Sequence, residues 1–413
     1  MVSQLSFAEI LQVNNEVLFS SNDGEGLYFL DKDNKKARIF VDFPIMPNLV
    51  EDSYKVLAKV GNKIFLPSCF NEHIAVYDCE TENYQILKLE SLSAEQKNLH
   101  KFWTSIIYDH FIFFVGHYYP AIVKLNIDTM EMVYLTDWVE QIERKRKLDN
   151  APYLGIGIVR DDIAMLPCCC TNAILKLDLK TNKTEVCEIM ACVDGFNGLC
   201  CSKDMYWLTV RNGPEIVVWN RNTDSVEMLK VERRKKYGGV PFAPPLKYQD
   251  NLYVFPYWGD YAYCINTFTK KIERIDELKD IFDIQQTALL KISKIIYPPT
   301  LVSGKIYFVT GMDKVWHIYD PVKKVVESFP VYIDMSRQKV IKKRRSLIDL
   351  GRAIRENNKT FLFWEEELFS GREYSEMVYE YQKEIGDFQS RHKAFKESTG
   401  QDIYSTLNLL KNT

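Results

Sequence analysis

The sequence lacks both a long apolar run and a recognisable secretory leader. No stretch approaches the roughly 18 consecutive apolar residues that a membrane-spanning helix requires. Residues Met1 to Glu9 contain no basic segment followed by an apolar one, which is the pattern of a signal peptide. We therefore predict a protein that has no contact with a membrane and resides in the cytoplasm.

Cysteine is too sparse and too irregularly placed to build a disulfide scaffold. The chain has 10 cysteines in 413 residues, and no C-x-x-C pair occurs. In a strand, adjacent members of the run Cys168-Cys169-Cys170 point to opposite faces, so they cannot easily share one tetrahedral zinc ion. We expect reduced thiols that act as small apolar residues, and neither a metal nor a cofactor.

A strong excess of one charge is also missing. The chain carries 53 basic and 56 acidic residues, a formal net charge of −3, which disfavours nucleic-acid binding through the whole surface. Three short basic runs interrupt this balance at Arg144–Lys147, Arg233–Lys236 and Lys342–Arg345. Either these runs are solvated loops or they attract an acidic partner. Specific recognition of nucleic acid is not expected.

What the sequence does contain is a repeat. A polar turn, a short apolar run, a variable loop and a second apolar run end at an acidic or amide residue, at intervals between 42 (178 to 220) and 54 (266 to 320) residues. These marker residues are Asp31, Asp78, Asn126, Asp178, Asn220, Asn266 and Asp320. Four strand-like segments in a repeat of this length are typical of a β-propeller blade. We predict an all-β, seven-bladed β-propeller over residues 1–335, with each marker accepting backbone N–H bonds in a tight turn.

The repeat resembles the kelch-like family of propellers. The similarity is carried by Ser303–Val309 and Val315–Pro321 in the last copy. The double glycine that typically ends the second kelch strand is replaced, for example by Pro67-Ser68 in the second copy. The alternative WD40 family is weaker, because its Gly-His and Trp-Asp pairs are not repeated here. The kelch resemblance implies a surface for binding or interaction and implies no reaction.

Aromatic and polar residues cluster in the loops between the second and third strands of the repeats. On a propeller these loops emerge on the same side as the connections between blades. Flat aromatic faces beside hydrogen-bonding groups are what recognition of a sugar or a peptide requires. The predicted ligand-binding residues are Phe70, Tyr118, Tyr119, Arg211, Asn212, Tyr257 and Trp258. We predict a non-catalytic propeller that binds a glycan or a protein. The plain alternative is that these aromatic residues only wedge adjacent blades.

The common catalytic motifs are missing from the sequence. It contains no H-E-x-x-H, Walker-type, G-x-G-x-x-G or G-x-S-x-G pattern. His73 and His117 occupy corresponding loop positions in neighbouring repeats, and they could work together with a rim carboxylate, Glu215 or Asp260. An enzyme that acts on carbohydrate, a lyase or a hydrolase, is therefore the alternative function. The sequence favours binding over catalysis.

The strand pattern stops near Asp334, and helical periodicity follows it. Apolar residues recur at three- and four-residue spacing at Tyr374, Met377, Val378, Tyr381 and Ile385. We predict a mostly helical extension over residues 336–413 that packs on the propeller or docks a partner. The stretch Phe395–Leu407 is weakly similar to the tails of proteins from bacterial surface-polysaccharide clusters. A scaffold in that process and a bacterial source are therefore further hypotheses.

Removing residues 336–413 tests the role of the extension. If it is a partner-docking arm, the truncated protein is expected to keep the circular-dichroism spectrum of a folded propeller and to lose its partner in a pulldown. Loss of the β-sheet signal on truncation would instead show that the ring needs the extension in order to fold.

Overall fold

The structure is a computed structural model that describes residues 4–14, 16–44, 53–92, 100–232, 239–284, 293–334 and 336–341. The chain divides into two compact units, one of residues 4–42 and 53–332 and the other of residues 1–3, 43–52 and 333–413. In the second unit, residues 336–341 are helical. The rest of the predicted extension lies outside the described residues, so its role stays a prediction.

The larger unit contains seven four-stranded antiparallel sheets, each built from consecutive strands that pair in chain order. The first four sheets comprise Glu9–Val13 (β1), Glu16–Ser21 (β2), Gly26–Asp31 (β3), Lys36–Asp42 (β4); Ala58–Val60 (β5), Lys63–Pro67 (β6), His73–Asp78 (β7), Asn83–Lys88 (β8); Phe102–Tyr108 (β9), Phe111–Gly116 (β10), Ile122–Asn126 (β11), Met132–Leu135 (β12); Ile158–Arg160 (β13), Ile163–Pro167 (β14), Ala173–Asp178 (β15) and Thr184–Glu188 (β16). The other three comprise Phe196–Ser202 (β17), Met205–Val210 (β18), Glu215–Asn220 (β19), Ser225–Lys230 (β20); Leu246–Tyr248 (β21), Asn251–Val254 (β22), Tyr263–Asn266 (β23), Ile272–Arg274 (β24); Thr300–Val302 (β25), Lys305–Val309 (β26), Trp316–Asp320 (β27) and Val325–Phe329 (β28). These sheets are the blades of a ring, and they confirm the predicted seven-bladed β-propeller.

Helices are few in the larger unit, and they lie in the connections between blades. The described ones are Val139–Glu143 (α1), a 3₁₀ turn at Asp276–Leu278, and Lys279–Ile284 (α2). Within the part of the chain that the structure describes, no helix is long and apolar enough to cross a membrane.

The middle strands of each blade are buried on both faces. Strand β10 reads Phe-Ile-Phe-Phe-Val-Gly, and its residues Phe113, Phe114 and Val115 have no exposed area. A strand covered on both sides needs apolar residues at successive positions, whereas β8 at the outer edge alternates between exposed and partly buried residues. Between the second and third blades, Val76 shares one apolar cluster with Phe114 and Val123. Packing of neighbouring blades face to face therefore forms the core.

The run Cys168-Cys169-Cys170 lies inside this core. All three side chains have no exposed area, and every cysteine in the described residues is a free thiol. Burial raises the pKa of Cys169 to about 12 and that of Cys170 to about 11. These thiols therefore stay protonated at neutral pH, which confirms their prediction as small apolar residues.

The seven marker residues make the same turn in every blade. In the second blade, Oδ1 of Asp78 accepts the backbone N–H groups of Glu80 and Thr81 at 2.9 and 3.1 Å. The equivalent pairs of bonds are made by Asp31, Asn126, Asp178, Asn220, Asn266 and Asp320. A residue one or two positions before each fourth strand then takes a positive φ, for example 54° at Glu82. The predicted role of the marker is confirmed.

One strand is shorter than the sequence predicts. The sequence of the second repeat predicts a first strand over Tyr54–Val60, but β5 covers only its last three residues. The hydroxyl of Tyr54 lies 2.7 Å from Nε2 of His73, and the N–H of Leu57 donates to the Glu9 carboxyl at 2.5 Å. Side-chain contacts thus hold this segment where a strand ladder was predicted.

The ring closes between the first and seventh blades without exchanging a strand. The backbone N–H of Leu5 donates to the carbonyl of Val331 at 2.9 Å, and Nε1 of Trp316 donates to the carbonyl of Leu5 at 2.7 Å. The Trp316 ring also meets Phe7 and Phe19 edge-on, with ring centroids 4.6 and 4.8 Å apart. Trp316 therefore joins the two ends of the propeller by apolar packing and by one hydrogen bond.

Substitution of Trp316 tests this closure. We expect Trp316→Ala to lower the free energy of unfolding by about 3–5 kcal/mol, because it leaves a cavity between blades. Trp316→Phe should cost about 1–3 kcal/mol, since it keeps a ring but leaves the Leu5 carbonyl without its donor. Urea unfolding followed by far-ultraviolet circular dichroism measures both.

Met190→Ala is the control for the closure experiment, because Met190 is 81% exposed and its loss should change stability by less than about 0.5 kcal/mol. The closure assigned to Trp316 is wrong if Trp316→Ala is as mild as this control.

Candidate ligand-binding site

The loops that contain the predicted ligand-binding residues all emerge on one face of the propeller. In each blade, tight turns join the first to the second strand and the third to the fourth on one side of the ring. The loops between the second and third strands emerge on the other side, together with the connections between blades. We call these two sides the turn face and the loop face.

His117 lies at the centre of the contacts on the loop face. It is only 6% exposed, and its ring stacks on Trp103 with centroids 4.7 Å apart. Its Nδ1 lies 2.6 Å from the carbonyl oxygen of Leu154. Because a carbonyl can only accept, Nδ1 carries the proton and Nε2 presents a lone pair.

The charge state of His117 follows from its surroundings. Burial lowers its pKa to about 3, against the raising effect of the Leu154 carbonyl, and the positive charges of Arg211 and Lys55 lower it further. His117 is therefore neutral at physiological pH.

A second histidine, His100, belongs to the same group of side chains. Its ring lies 5.2 Å from that of Phe70 and 6.0 Å from that of Trp103, measured between centroids. Its Nε2 lies 2.7 Å from Nζ of Lys55. An ammonium group only donates, so Nε2 accepts and the proton is on Nδ1, a buried atom with no hydrogen-bond partner in the described structure. Burial, and then the charge of Lys55, lower the pKa of His100 to about 4.

Two cationic side chains flank these neutral histidines. Lys55 contacts His100 and lies over the ring of Tyr297, with Nζ 5.1 Å from the centroid, and burial lowers its pKa. The guanidinium group of Arg211 hydrogen-bonds the buried thiol of Cys169. We call Lys55, His100, Trp103, His117, Tyr118 and Arg211 together the mouth site.

Three of the predicted ligand-binding residues belong to the mouth site or border it. Tyr118 meets His117 edge-on at 5.1 Å, Phe70 contacts His100, and Arg211 lies close enough to act on the pKa of His117. Asn212, in the same loop as Arg211, is exposed to solvent. The mouth site thus draws on loops of the second, third and fifth blades.

Tyr119 lies elsewhere. It is 4% exposed and packs in the apolar cluster between the second and third blades, and its hydroxyl donates to the carbonyl of Glu90 at 2.6 Å. The expectation of a rim position for Tyr119 is corrected: it wedges two blades. The physical reason is that the Tyr119 ring gains apolar contacts in that cluster while its hydroxyl finds an acceptor there.

Tyr257 and Trp258 lie in the loop of the sixth blade. The Tyr257 ring packs partly against the core between the sixth and seventh blades, and its buried hydroxyl has no hydrogen-bond partner in the described structure. Burial, and then Tyr297, raise the pKa of Tyr257. Trp258 is half-buried, with its backbone N–H bound to the carbonyl of Pro241 at 3.1 Å. Tyr297, beside Lys55, links this loop to the mouth site.

The four candidate catalytic residues have separate surroundings. His73 is 3% exposed and is hydrogen-bonded to the Tyr54 hydroxyl. The histidine that contributes to the pKa shift of His117 is His100. Glu215 begins β19, and Asp260 is 9% exposed, with its carbonyl bound by a lysine. In the described residues, no group of three or more histidine, cysteine or acidic side chains is placed to hold a metal.

The first predicted basic run is largely neutralised by carboxylates. Lys145 pairs with Glu188 at 2.9 Å, and Arg146 pairs with Glu143 at 2.7 Å. Arg144 pairs with Glu140. The other two runs lie outside the described residues. An acidic partner bound through these runs stays a prediction.

The mouth-site residues that the sequence did not indicate lie in the connections between blades. Lys55 and His100 precede the first strands of the second and third blades, and Trp103 lies in β9. These connections share the loop face with the loops that were searched. The same combination of aromatic and basic residues that marked the loops is also present in these connections. Searching the connections for it would have found these residues.

The innermost strands of the first three blades line a cavity of about 450 Å³. Residues of β1, β5 and β9 line it, among them Glu9, Lys59 and Ile107. Burial raises the pKa of the Glu9 carboxyl to about 8, although the N–H bond from Leu57 opposes this shift. Glu9 is therefore mostly protonated at neutral pH.

The titration of Glu9 gives a pH-dependent stability. Its folded-state pKa of about 8 lies above the ordinary value of 4.5, so the stability that it contributes at low pH is lost as pH rises towards 8. We expect the Tm of the native protein to fall relative to that of Glu9→Gln between about pH 5 and about pH 8.

Thermal unfolding at a series of pH values measures the effect of Glu9, and Glu16→Gln is the control, because the exposed Glu16 carboxylate belongs to a surface ion pair on the same blade. A Tm difference between native protein and Glu9→Gln that is independent of pH would show that Glu9 is ionised throughout.

Solved structures share this fold. No protein-family model matches the sequence, and no curated protein matches it. A catalytically inactive variant of virginiamycin B lyase from Staphylococcus aureus, crystallised with quinupristin, is 11% identical with a TM-score of 0.54, over 77% of this chain and 97% of that chain. The extracellular domain of a hybrid two-component system from B. thetaiotaomicron is 12% identical with a TM-score of 0.50, over 76% of this chain and 38% of that chain. At such identities the likeness concerns the fold alone. The chain is a seven-bladed β-propeller, and membership of the kelch family is not confirmed.

Proposed function

We propose that this propeller is a binding protein that holds a ring-containing ligand at the mouth site. The observation that carries the proposal is the stack of Trp103 on His117, with Tyr118 edge-on beside it. Such a surface offers flat apolar area next to hydrogen-bonding groups. The rigid ring of blades holds these side chains in place before the ligand arrives, which limits the entropy lost on binding.

A glycan suits the polar groups of the mouth site best. The lone pair on Nε2 of His117 can accept a sugar hydroxyl, while Lys55 and Arg211 can donate to ring or hydroxyl oxygens. The apolar face of a sugar ring can stack on the aromatic residues. A protein ligand would use the same groups through a side chain or a chain terminus, and it is the second choice.

The electrostatics favour binding over acid–base catalysis. A general base works best when its pKa lies near the working pH. The pKa values of about 3 for His117 and about 4 for His100 make both histidines weak bases at neutral pH. In this state they serve as neutral hydrogen-bonding groups.

A carbohydrate lyase or hydrolase is the alternative function, and one observation favours it. Lys55 has a lowered pKa and lies 2.7 Å from His100, and a lysine of this kind can act as a base. Incubation with a glycan panel, read for new reducing ends and for unsaturated products, would detect such turnover. A cytoplasmic location, a bacterial source and a scaffold role for residues 336–413 remain predictions alongside this proposal.

Substitution of Tyr118 tests the proposed site. We expect at least one hit when purified protein is screened on a glycan array, and Tyr118→Ala should weaken that binding about ten-fold, or about 1.4 kcal/mol. Its Tm should change little, because Tyr118 lies at the rim. Isothermal titration calorimetry and thermal unfolding measure the two quantities.

Phe268→Ala is the matched control for Tyr118→Ala, since Phe268 is an exposed aromatic residue on the turn face. Equal affinities of Tyr118→Ala and Phe268→Ala would contradict the proposed site. Trp258→Ala asks separately whether the loop of the sixth blade contributes: weaker binding by a folded variant would add Trp258 to the site.

A further inference from the structure

Lys55 and Arg211 are two cations at the mouth site that no carboxylate of the described residues neutralises. Among the described residues, no carboxylate oxygen lies within 4.0 Å of a nitrogen of either side chain, which is the distance limit for an ion pair. The neighbours of Lys55 are the neutral ring of His100 and the phenol of Tyr297, and the side-chain partner of Arg211 is the protonated thiol of Cys169.

Two other basic residues on the loop face, Lys314 and Arg146, do have carboxylate partners. Lys314 pairs with Asp23 at 2.6 Å, and Arg146 pairs with Glu143 at 2.7 Å. The Glu9 carboxyl on the inner strand β1 is held by a backbone N–H and is mostly protonated at neutral pH. Because an uncompensated charge in a partly desolvated position is unfavourable, the two free cations call for a counter-ion from outside the chain.

The geometry of the histidines says where that counter-ion can lie. Nε2 of His117 presents a lone pair, which repels an anion but accepts a hydroxyl. The charges of Lys55 and Arg211 both act on His117, so both cations lie near this acceptor. A ligand that satisfies all three groups combines an anionic group with at least one hydroxyl.

We infer that the ligand of the mouth site carries a carboxylate or phosphate group, which Lys55 and Arg211 bind while its ring lies against Trp103 and Tyr118. The inference rests on the proposed function and gives its ligand a chemical class: an acidic sugar or a sugar phosphate. Lys55 supplies a compact point charge, and Arg211 supplies a planar pair of donors that matches either anion.

The experiment compares anionic sugars with their neutral parent. Binding of glucuronate, glucose 1-phosphate, glucose and inorganic phosphate to the full-length protein is measured by isothermal titration calorimetry. We expect glucuronate or glucose 1-phosphate to bind at least ten-fold more tightly than glucose. Tighter binding of glucuronate would identify a carboxylate as the anion, and tighter binding of glucose 1-phosphate would identify a phosphate.

Two charge-neutral variants assign the effect to residues. Lys55→Met and Arg211→Gln should each weaken binding of the anionic sugar at least ten-fold and weaken binding of glucose by a clearly smaller factor, because glucose loses only a neutral hydrogen bond. Lys88→Met is the control, because Lys88 is an exposed lysine on the outer strand β8 and should behave as the native protein does. Thermal unfolding of each variant verifies that it is folded.

The outcomes separate this inference from the proposed function. If glucose binds as tightly as the anionic sugars and Tyr118→Ala weakens both, the site is correct and the inference is overturned. If inorganic phosphate binds in a Lys55-dependent way but no sugar does, the anion site is supported and the ring-stacking proposal fails. If no anionic probe binds at millimolar concentration, the inference is overturned as well.

Discussion

Face-to-face packing between neighbouring blades is the constraint on which the rest of this structure depends. The middle strands are apolar on both sides because each one is covered by two blades, as Phe113 and Phe114 show in β10. The ring must therefore close to cover its last surface, and Trp316 completes that closure against Phe7 and Phe19. Once closed, the ring holds its loops in fixed positions, where their remaining side chains can carry function.

The loop face uses this rigidity to hold groups that would not stay together in solution. Burial keeps His100 and His117 neutral, and the partner of each ring fixes its tautomer, so one presents a donor and the other an acceptor. Beside them lie two cations, Lys55 and Arg211, that have no carboxylate partner in the part of the chain that the structure describes. This combination of neutral hydrogen-bonding groups, stacked rings and uncompensated positive charge is the physical basis for placing ligand recognition here.

The sequence predicts the fold well because each repeat is marked by hydrogen bonds between residues that are close together in the chain. Each marker residue, such as Asp78, makes its turn with backbone groups two and three residues away, so its spacing alone reveals a blade. The site is predicted less well. Phe70, Tyr118 and Arg211 lie where loop aromatics and cations were expected, but Tyr119 is an inter-blade wedge. Lys55 lies in a connection between blades, and contacts between blades set its position. A local sequence pattern does not reveal such contacts, so Lys55 was not predicted.

The protonation of the two mouth-site histidines tests this account most directly. Nuclear magnetic resonance of protein with ¹⁵N-labelled histidine distinguishes the tautomers and follows their titration. The account predicts that His100 and His117 are both neutral at pH 6, with the proton of each on Nδ1, and that they titrate far below the ordinary histidine pKa of 6.5. If either ring becomes protonated near pH 6.5, or carries its proton on Nε2, the electrostatic description of the mouth site is wrong.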